Sequence, residues 1–342
     1  MAHDASSDAP AYGADAAGLV CGYRFAAGAG AAPIGSREAE DWLRQGDEGG
    51  GFVWLHFNLA HAASTRWLQR HAGLPEEFHA MLREGLHSTR IERAGEDWLT
   101  AVVNDVHFDF SFEPGDIATL WIAVGPRLVV TARQHQLRSV DGLRTLARAG
   151  AVLRSPVELL ERLMRAQADV LVGIVRGVTQ KVDDIEDALL AGRLQHRRAR
   201  LGVLRRLLVR LQRLLAPEPA ALFRLLQHPP GWVQPADAQE LHGATEEFSV
   251  VLRDMASLQE RIKLLQEEIA AAINEDINRS LFVLTVVTVL ALPINILAGL
   301  FGMNVGGIPL AENPHGFWIL VAVVASFTAV AAWLSFRGRR DQ

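Results

Sequence analysis

Residues 281–304 read LFVLTVVTVLALPINILAGLFGMN. From Leu281 to Phe301 this run carries no charge, and about 20 apolar residues suffice to cross the hydrocarbon core of a bilayer. Between Arg279 and Arg337 there is no Lys or Arg, and Glu312 is the sole acidic residue. A second uncharged run, residues 317–336, just reaches the same length. The chain is therefore expected to end in a two-helix membrane hairpin, with Gly302-Met303-Asn304 where the first helix meets water. Arg279 precedes the hairpin and Arg337, Arg339 and Arg340 follow it, whereas residues 305–316 hold no Lys or Arg. The positive-inside tendency places both termini in the cytoplasm and the connecting loop outside.

Upstream, no Pro or Gly occurs in residues 244–292. A helix starting near Ala236 is expected to run unbroken from a stalk (236–279) into the first membrane segment (280–304), a length on the order of 90 Å at ~1.5 Å per residue. Leu241, Phe248, Met255, Ile262 and Ile269 recur every seven residues, with Leu252, Leu258 and Leu265 near the intervening positions. This is a heptad-like seam. A second stripe runs through Asn278, Leu281, Thr285, Thr288, Leu292, Asn295, Gly299 and Gly302 in alternating steps of three and four, which keeps one face of a slightly supercoiled helix.

An amide facing hydrocarbon costs several kcal/mol unless satisfied, so Asn295 is expected to face protein or water. Two readings are open. The stripe bonds and packs against another helix, or it lines a wet path between copies of the chain. Its continuation through Asn274, Ala271, Glu267, Leu264, Glu260, Ser257 and Arg253 is mostly hydrophilic and favours the path. The outer end suits a hydrated dication. Gly302 allows close backbone approach, and Asn304 offers an uncharged amide oxygen to the water shell that Mg²⁺ sheds reluctantly. Leu281 and Leu292 suit constrictions that close by dewetting. A membrane potential would pull a dication inward with ~4.6 kcal/mol per 100 mV.

The rest of the 342 residues, with a formal net charge of −5, has the composition of a soluble part on a small membrane part. Residues 1–15 read as a disordered tail with no signal-peptide pattern. Cys21 is the only cysteine, which excludes an intrachain disulfide. Residues 16–152 alternate strand-like and helix-like stretches, an α+β domain with an appreciable antiparallel share. Strands are expected over 19–25, 52–59, 98–108, 117–124 and 128–132, and short helices over 64–71, capped by Ser64, and 75–84. Residues 153–235 read as helices. One, begun by Ser155-Pro156, reaches about Leu190, and a basic one covers 193–215. Asp183, Asp184, Glu186 and Asp187 form an acidic patch, read as a solvated face ahead of a regulatory cation site. The arginines of 193–213 are expected to stay wet or pair with acids while Leu201, Leu204, Leu208 and Leu211 pack. Nothing in the sequence forms a catalytic constellation, so no enzyme activity, bound cofactor or nucleic-acid partner is expected.

Leu292-Pro293-Ile294-Asn295 followed by Ala298-Gly299-Leu300-Phe301-Gly302-Met303-Asn304 resembles the signature of the CorA-type metal ion transporters. The resemblance extends to the whole order of parts, from the α/β domain to the two C-terminal helices. It implies a funnel-shaped homopentamer in the bacterial inner membrane, with the first membrane helix lining a pore and Gly302, Met303 and Asn304 as the outer ion filter. The loop VGGIPLAENPHGF at residues 305–317 lacks the Met-Pro-Glu-Leu of the magnesium branch and looks like the zinc-transport (ZntB) branch. Glu312 would place carboxylates near the pore mouth. The implied partners are copies of the chain, the lipid bilayer and transported Zn²⁺, with Mg²⁺, Co²⁺ or Ni²⁺ as alternatives. The residues do not themselves select zinc, which prefers His and Cys, since the stripe contains neither.

Overall fold

The computed structural model describes residues 13–45, 50–85, 87–113, 115–191, 197–303, 309 and 313–337. It divides into two compact units, Met1–Gln266 and Glu267–Gln342. The first begins with β1 (Leu19–Phe25), β2 (Ala32–Pro33), α1 (Ser36–Gln45), β3 (Phe52–Asn58), α2 (Ala62–His71) and α3 (Glu76–Glu84). Next come β4 (Arg90–Ala94), β5 (Trp98–Val106), β6 (Ile117–Val124), β7 (Leu128–Arg133) and α4 (Arg138–Arg148). The strands form one sheet in the order β2-β1-β3-β7-β6-β5-β4, in which β3 and β7 run parallel and every other pair is antiparallel. Adjacent antiparallel strands need only tight turns, and Gly125, whose N–H donates to the Leu128 carbonyl at 2.8 Å, closes the one between β6 and β7.

Strand alternation sorts the sheet into two faces. Val53, Leu55 and Phe57 of β3 and Val130 and Ala132 of β7 form a core with Trp67 and Leu68 of α2 and Phe78 and Met81 of α3. Trp54, His56, Thr131 and Arg133 belong to the other face, where α4 adds Val140 and Arg144 around a small void shared with His56 and Arg133. The Thr131 hydroxyl accepts from the Trp54 indole at 2.9 Å and lies 2.8 Å from His56 Nδ1, while Arg133 Nε donates to His56 Nε2 at 3.0 Å. Burial, with Arg133 and Arg144 nearby, holds the His56 imidazole well below its ordinary pKa. Neutral His56 therefore accepts at Nε2 and donates from Nδ1.

Beyond the sheet come α5 (Pro156–Leu190), α6 (Arg197–Leu215), α7 (Pro217–Gln227) and α8 (Pro235–Phe301). Ser155 caps α5, accepting from the Glu158 N–H at 3.0 Å. The pairing of β4 with β5 stops at Arg90, the first residue of β4, opposite Val102. Two residues further along β5, helix side chains replace the missing strand. Asn104 N donates to Glu218 Oε1 of α7 at 2.9 Å, and Asn104 O accepts from Gln167 Nε2 of α5 at 3.0 Å. The seam residues Leu241, Phe248, Met255 and Ile262 are all buried. This stretch of α8 is tied to Arg154, just ahead of α5, by Glu240 at 2.7 Å, to α5 by Arg165–Glu247 and Arg261–Asp183 at 3.3 and 2.8 Å, and to α6 by Gln259–Gln212 at 2.8 Å. Leu201, Leu204, Leu208 and Leu211 of α6 are buried, as the leucine spacing predicts.

Several local features differ from the sequence reading. Ser64 does not cap α2. His61 does, through Nδ1, while the buried Ser64 hydroxyl donates to the Asn58 carbonyl at 2.6 Å. Pro217 begins a further helix, α7, because proline suits a first turn as well as an ending. β2, β4, α1 and α4 are additional elements, the two strands short and edge-lying and the two helices rich in charge. Asp15, at the border of the expected tail, accepts from the N–H groups of Ala17 and Leu19 at 2.9 Å each.

Candidate ion path

The second unit contains the C-terminal part of α8 and α9 (Gly316–Arg337). α8 continues without a break through Pro293 to Phe301. Proline has no N–H, so the Val289 carbonyl lacks its helical donor, and in hydrocarbon such a group must find another partner. Exposure along this part of α8 is asymmetric. Phe282, Val286, Leu290, Ile294 and Leu297 are half-buried, as are Leu320, Val324, Thr328 and Ala331 of α9. Each set recurs every three or four residues and marks one covered face of its helix.

The predicted stripe lies on the other side of α8. Asn278, Leu281, Thr285, Thr288, Leu292, Asn295 and Gly299 are all exposed in the single chain. Thr285 Oγ1 donates to the Leu281 carbonyl and Thr288 Oγ1 to the Leu284 carbonyl, both at 2.8 Å. A hydroxyl whose proton is bound to the helix backbone presents only lone pairs outward. At Thr285 and Thr288 the stripe thus presents oxygen acceptors, the groups suited to a hard cation or its water shell. Gly299 has open space where a Cβ would stand, whereas a Cβ at Gly302 would meet the Ala298 carbonyl at 3.0 Å. The Gly302 N–H bonds that same carbonyl at 2.9 Å, carrying the helical pattern one residue past Phe301. Met303 is exposed. Asn304 and Glu312, the other two expected members of the outer end, lie outside the described residues.

Away from the stripe, the acidic patch has a partner. Arg261 of α8 bridges Asp183 and Glu186 of α5. That arginine is 75 or more residues away in sequence, so spacing alone did not reveal it. Among the described residues no group of three or more His, Cys, Asp or Glu is placed to hold a metal ion. Five arginines of α6 take the first of their two expected states and stay wet. Arg200, Arg205, Arg206, Arg210 and Arg213 are exposed, and no acid pairs with them among the described residues.

A family model described as CorA-like Mg²⁺ transporter protein matches residues 49–339. The chain belongs to the CorA-like Mg²⁺ transporter family. As a member it is a divalent-cation transporter. A Pseudomonas aeruginosa relative named divalent cation transporter CmaX is 29% identical over 289 residues, 84% of this chain and 87% of its own. The zinc transport protein ZntB of Pectobacterium atrosepticum is 24% identical over 316 residues, 92% of this chain and 94% of its own. The structure of full-length CmaX matches with a TM-score of 0.78 at 28% identity, over 95% of this chain and 98% of that one. The CorA magnesium transporter of Methanocaldococcus jannaschii matches with a TM-score of 0.75 at 19% identity, over 92% and 97%, and shows the shared fold alone. Within this CorA-like frame the expected α+β domain, long helix and C-terminal apolar helices are all present.

Proposed function

We propose that the chain carries hydrated Zn²⁺ across the bacterial inner membrane through a central path formed by copies of itself. In this reading the Asn278–Gly299 stripe of each copy faces a common axis, five copies surround it, and Gly302, Met303 and Asn304 form the outer filter. Glu312 gathers cations at the mouth, and both termini lie in the cytoplasm. The observation that carries the reading is the exposed row of acceptor oxygens opposite the half-covered face of α8. Two transmembrane helices cannot enclose water by themselves, so a wet stripe requires copies. Relatives named for zinc support the cargo.

A stripe without His or Cys favours a second reading of cargo, a broad dication path that also takes Mg²⁺, Co²⁺ or Ni²⁺, because zinc prefers imidazole and thiolate ligands. The relative named for divalent cations in general supports that alternative. Zinc efflux is a further alternative in direction, and a hairpin that only anchors a sensor is the weakest reading.

Zinc entry into proteoliposomes, with excess Mg²⁺ outside and a pH gradient that can be collapsed, separates these readings. Entry that resists Mg²⁺ and falls with the gradient supports a proton-coupled zinc importer. Entry suppressed by Mg²⁺ and indifferent to the gradient means the broad path. Asn304→Ala is expected to lower flux by tenfold or more, about 1.4 kcal/mol or more in the barrier, with the oligomer intact. Unchanged flux in that variant would sink the filter assignment.

A further inference from the structure

A cleft of about 450 Å³ opens where the ends of β5 and β6 meet α6. That volume is in the range of small-ligand sites. Its floor is the buried trio Asn104, Thr119 and Trp121, and its walls carry His87, His107, Gln134, His135 and Arg210. Each polar wall group can donate a hydrogen bond, and Arg210 can only donate. His107 and His135 stack on each other, ring centroids 5.1 Å apart, and neither ring has a hydrogen-bond partner among the described residues. The Gln134 amide and the Arg210 guanidinium are likewise without one. His87 bonds Thr119 through Nδ1 at 2.7 Å and sits beside the Trp121 ring at 5.8 Å.

Among the described residues no carboxylate lines the cleft. The nearby Asp116 accepts from Ser111 N and Oγ at 2.8 Å and from Glu113 N at 3.3 Å, and its charge also faces the His107 ring from outside the cleft lining. Glu218 reaches only the backbone N–H of Asn104 and is fully buried. Arg206 and Arg213 stand four residues before and three after Arg210, on the same side of α6, and neither has an acid partner among the described residues. Three arginines against the one neighbouring Asp116 leave the local field positive, which repels a metal cation and attracts an anion. The wall formed by the β5–β6 loop is held in place. Phe112 has a left-handed backbone, φ 67°, and rests on α5 where a Cβ at Gly177 would meet its ring at 2.9 Å. Lys181 Nζ lies 3.3 Å from the centre of the same ring.

We infer that this cleft is a binding site for a soluble phosphate-bearing anion, clamped by the Arg210 guanidinium and the His107, His135 and Gln134 donors. Guanidinium and imidazole N–H groups converging on a carboxylate-free cleft are what a phosphate group requires. None of its lining residues belongs to the Asn278–Gly299 stripe.

The test is calorimetric titration of the full-length protein in detergent micelles with inorganic pyrophosphate, in buffer stripped of metal ions by chelating resin. One site per chain is expected, with Kd raised at least tenfold by Arg210→Gln and at least fivefold by His135→Gln. Arg224→Gln removes the same charge from α7 outside the cleft and is expected to leave Kd within twofold. Absence of saturable binding, or equal loss in Arg224→Gln, overturns the proposal. Zn²⁺ binding that depends on His107 and His135 without pyrophosphate binding overturns it in favour of a metal site. Binding seen only with short-chain phosphatidic acid moves the phosphate source to the membrane and overturns the soluble assignment.

Discussion

Asp105 and Glu218 are carboxyls enclosed by the protein on either side of one strand end. Asp105 accepts from Val106 N at 2.8 Å and from Ser139 N at 3.0 Å, and Glu218 from Asn104 N at 2.9 Å. Desolvation raises Asp105 to about 6, against the hydrogen bonds from Ser139 and Val106, which oppose it. Burial, reinforced by the neighbouring Asp105 charge, holds Glu218 well above its ordinary value. Because the folded pKa of Asp105 exceeds the unfolded value of 3.8, its protonated form favours the fold. That contribution is complete below about pH 4 and is lost as pH rises through about 6, a change of about 3 kcal/mol. His56 works in the opposite direction, since its depressed pKa removes stability as pH falls. The Asp105 share is therefore the difference between wild type and Asp105→Asn. Urea midpoints at pH 4.5 and 7.5 are expected to show that the loss on raising pH is smaller in the variant. Identical pH slopes would show that Asp105 does not titrate in this range. None of this was legible in the sequence, because an Asp on an alternating strand reads as solvent-facing until a helix covers it.

At the scale of the element, α8 carries two patterns that the sequence displayed plainly. The heptad seam packs within the chain and is locked to α5 and α6 by ion pairs and an amide–amide hydrogen bond. A heptad is silent on whether its partner is another chain or the same one, since both present an apolar groove. The polar stripe is equally visible, but the orientation of its hydroxyls is not. Back-bonding of Thr285 and Thr288 turns two donors into acceptors. Replacing both with valine keeps the shape and removes the oxygens. The double variant Thr285→Val/Thr288→Val is expected to lower dication flux about tenfold, about 1.4 kcal/mol in the barrier, while its oligomer is unchanged by size-exclusion chromatography. Full flux in that variant would leave the stripe with a packing role only. The outer tripeptide was recognisable from its letters, while the acidic patch on α5 needed the partner helix to show Arg261 spanning it.

For the whole molecule, the arrangement of copies is open to a direct experiment because the chain supplies its own clean background. Cys21 is the only cysteine, and burial pushes its thiol up to about 12, so thiolate chemistry there is suppressed. A cysteine placed at Thr285, on the stripe, is expected to form oxidative cross-links between copies in the membrane. One placed at Val283, exposed on a different side of the helix, is expected to form few. Equal cross-linking at both positions would contradict a common axis along the stripe. The order of parts, the two apolar runs and the seam were determined by the sequence alone, because helical and strand periodicity and hydrocarbon-length runs are one-dimensional properties. Tertiary structure alone decided which strands became neighbours, that α5 and α7 complete the sheet beyond Arg90 of β4, and which charges found partners. Those outcomes depend on contacts between residues 63, 75 and 114 positions apart, a separation that no local pattern encodes.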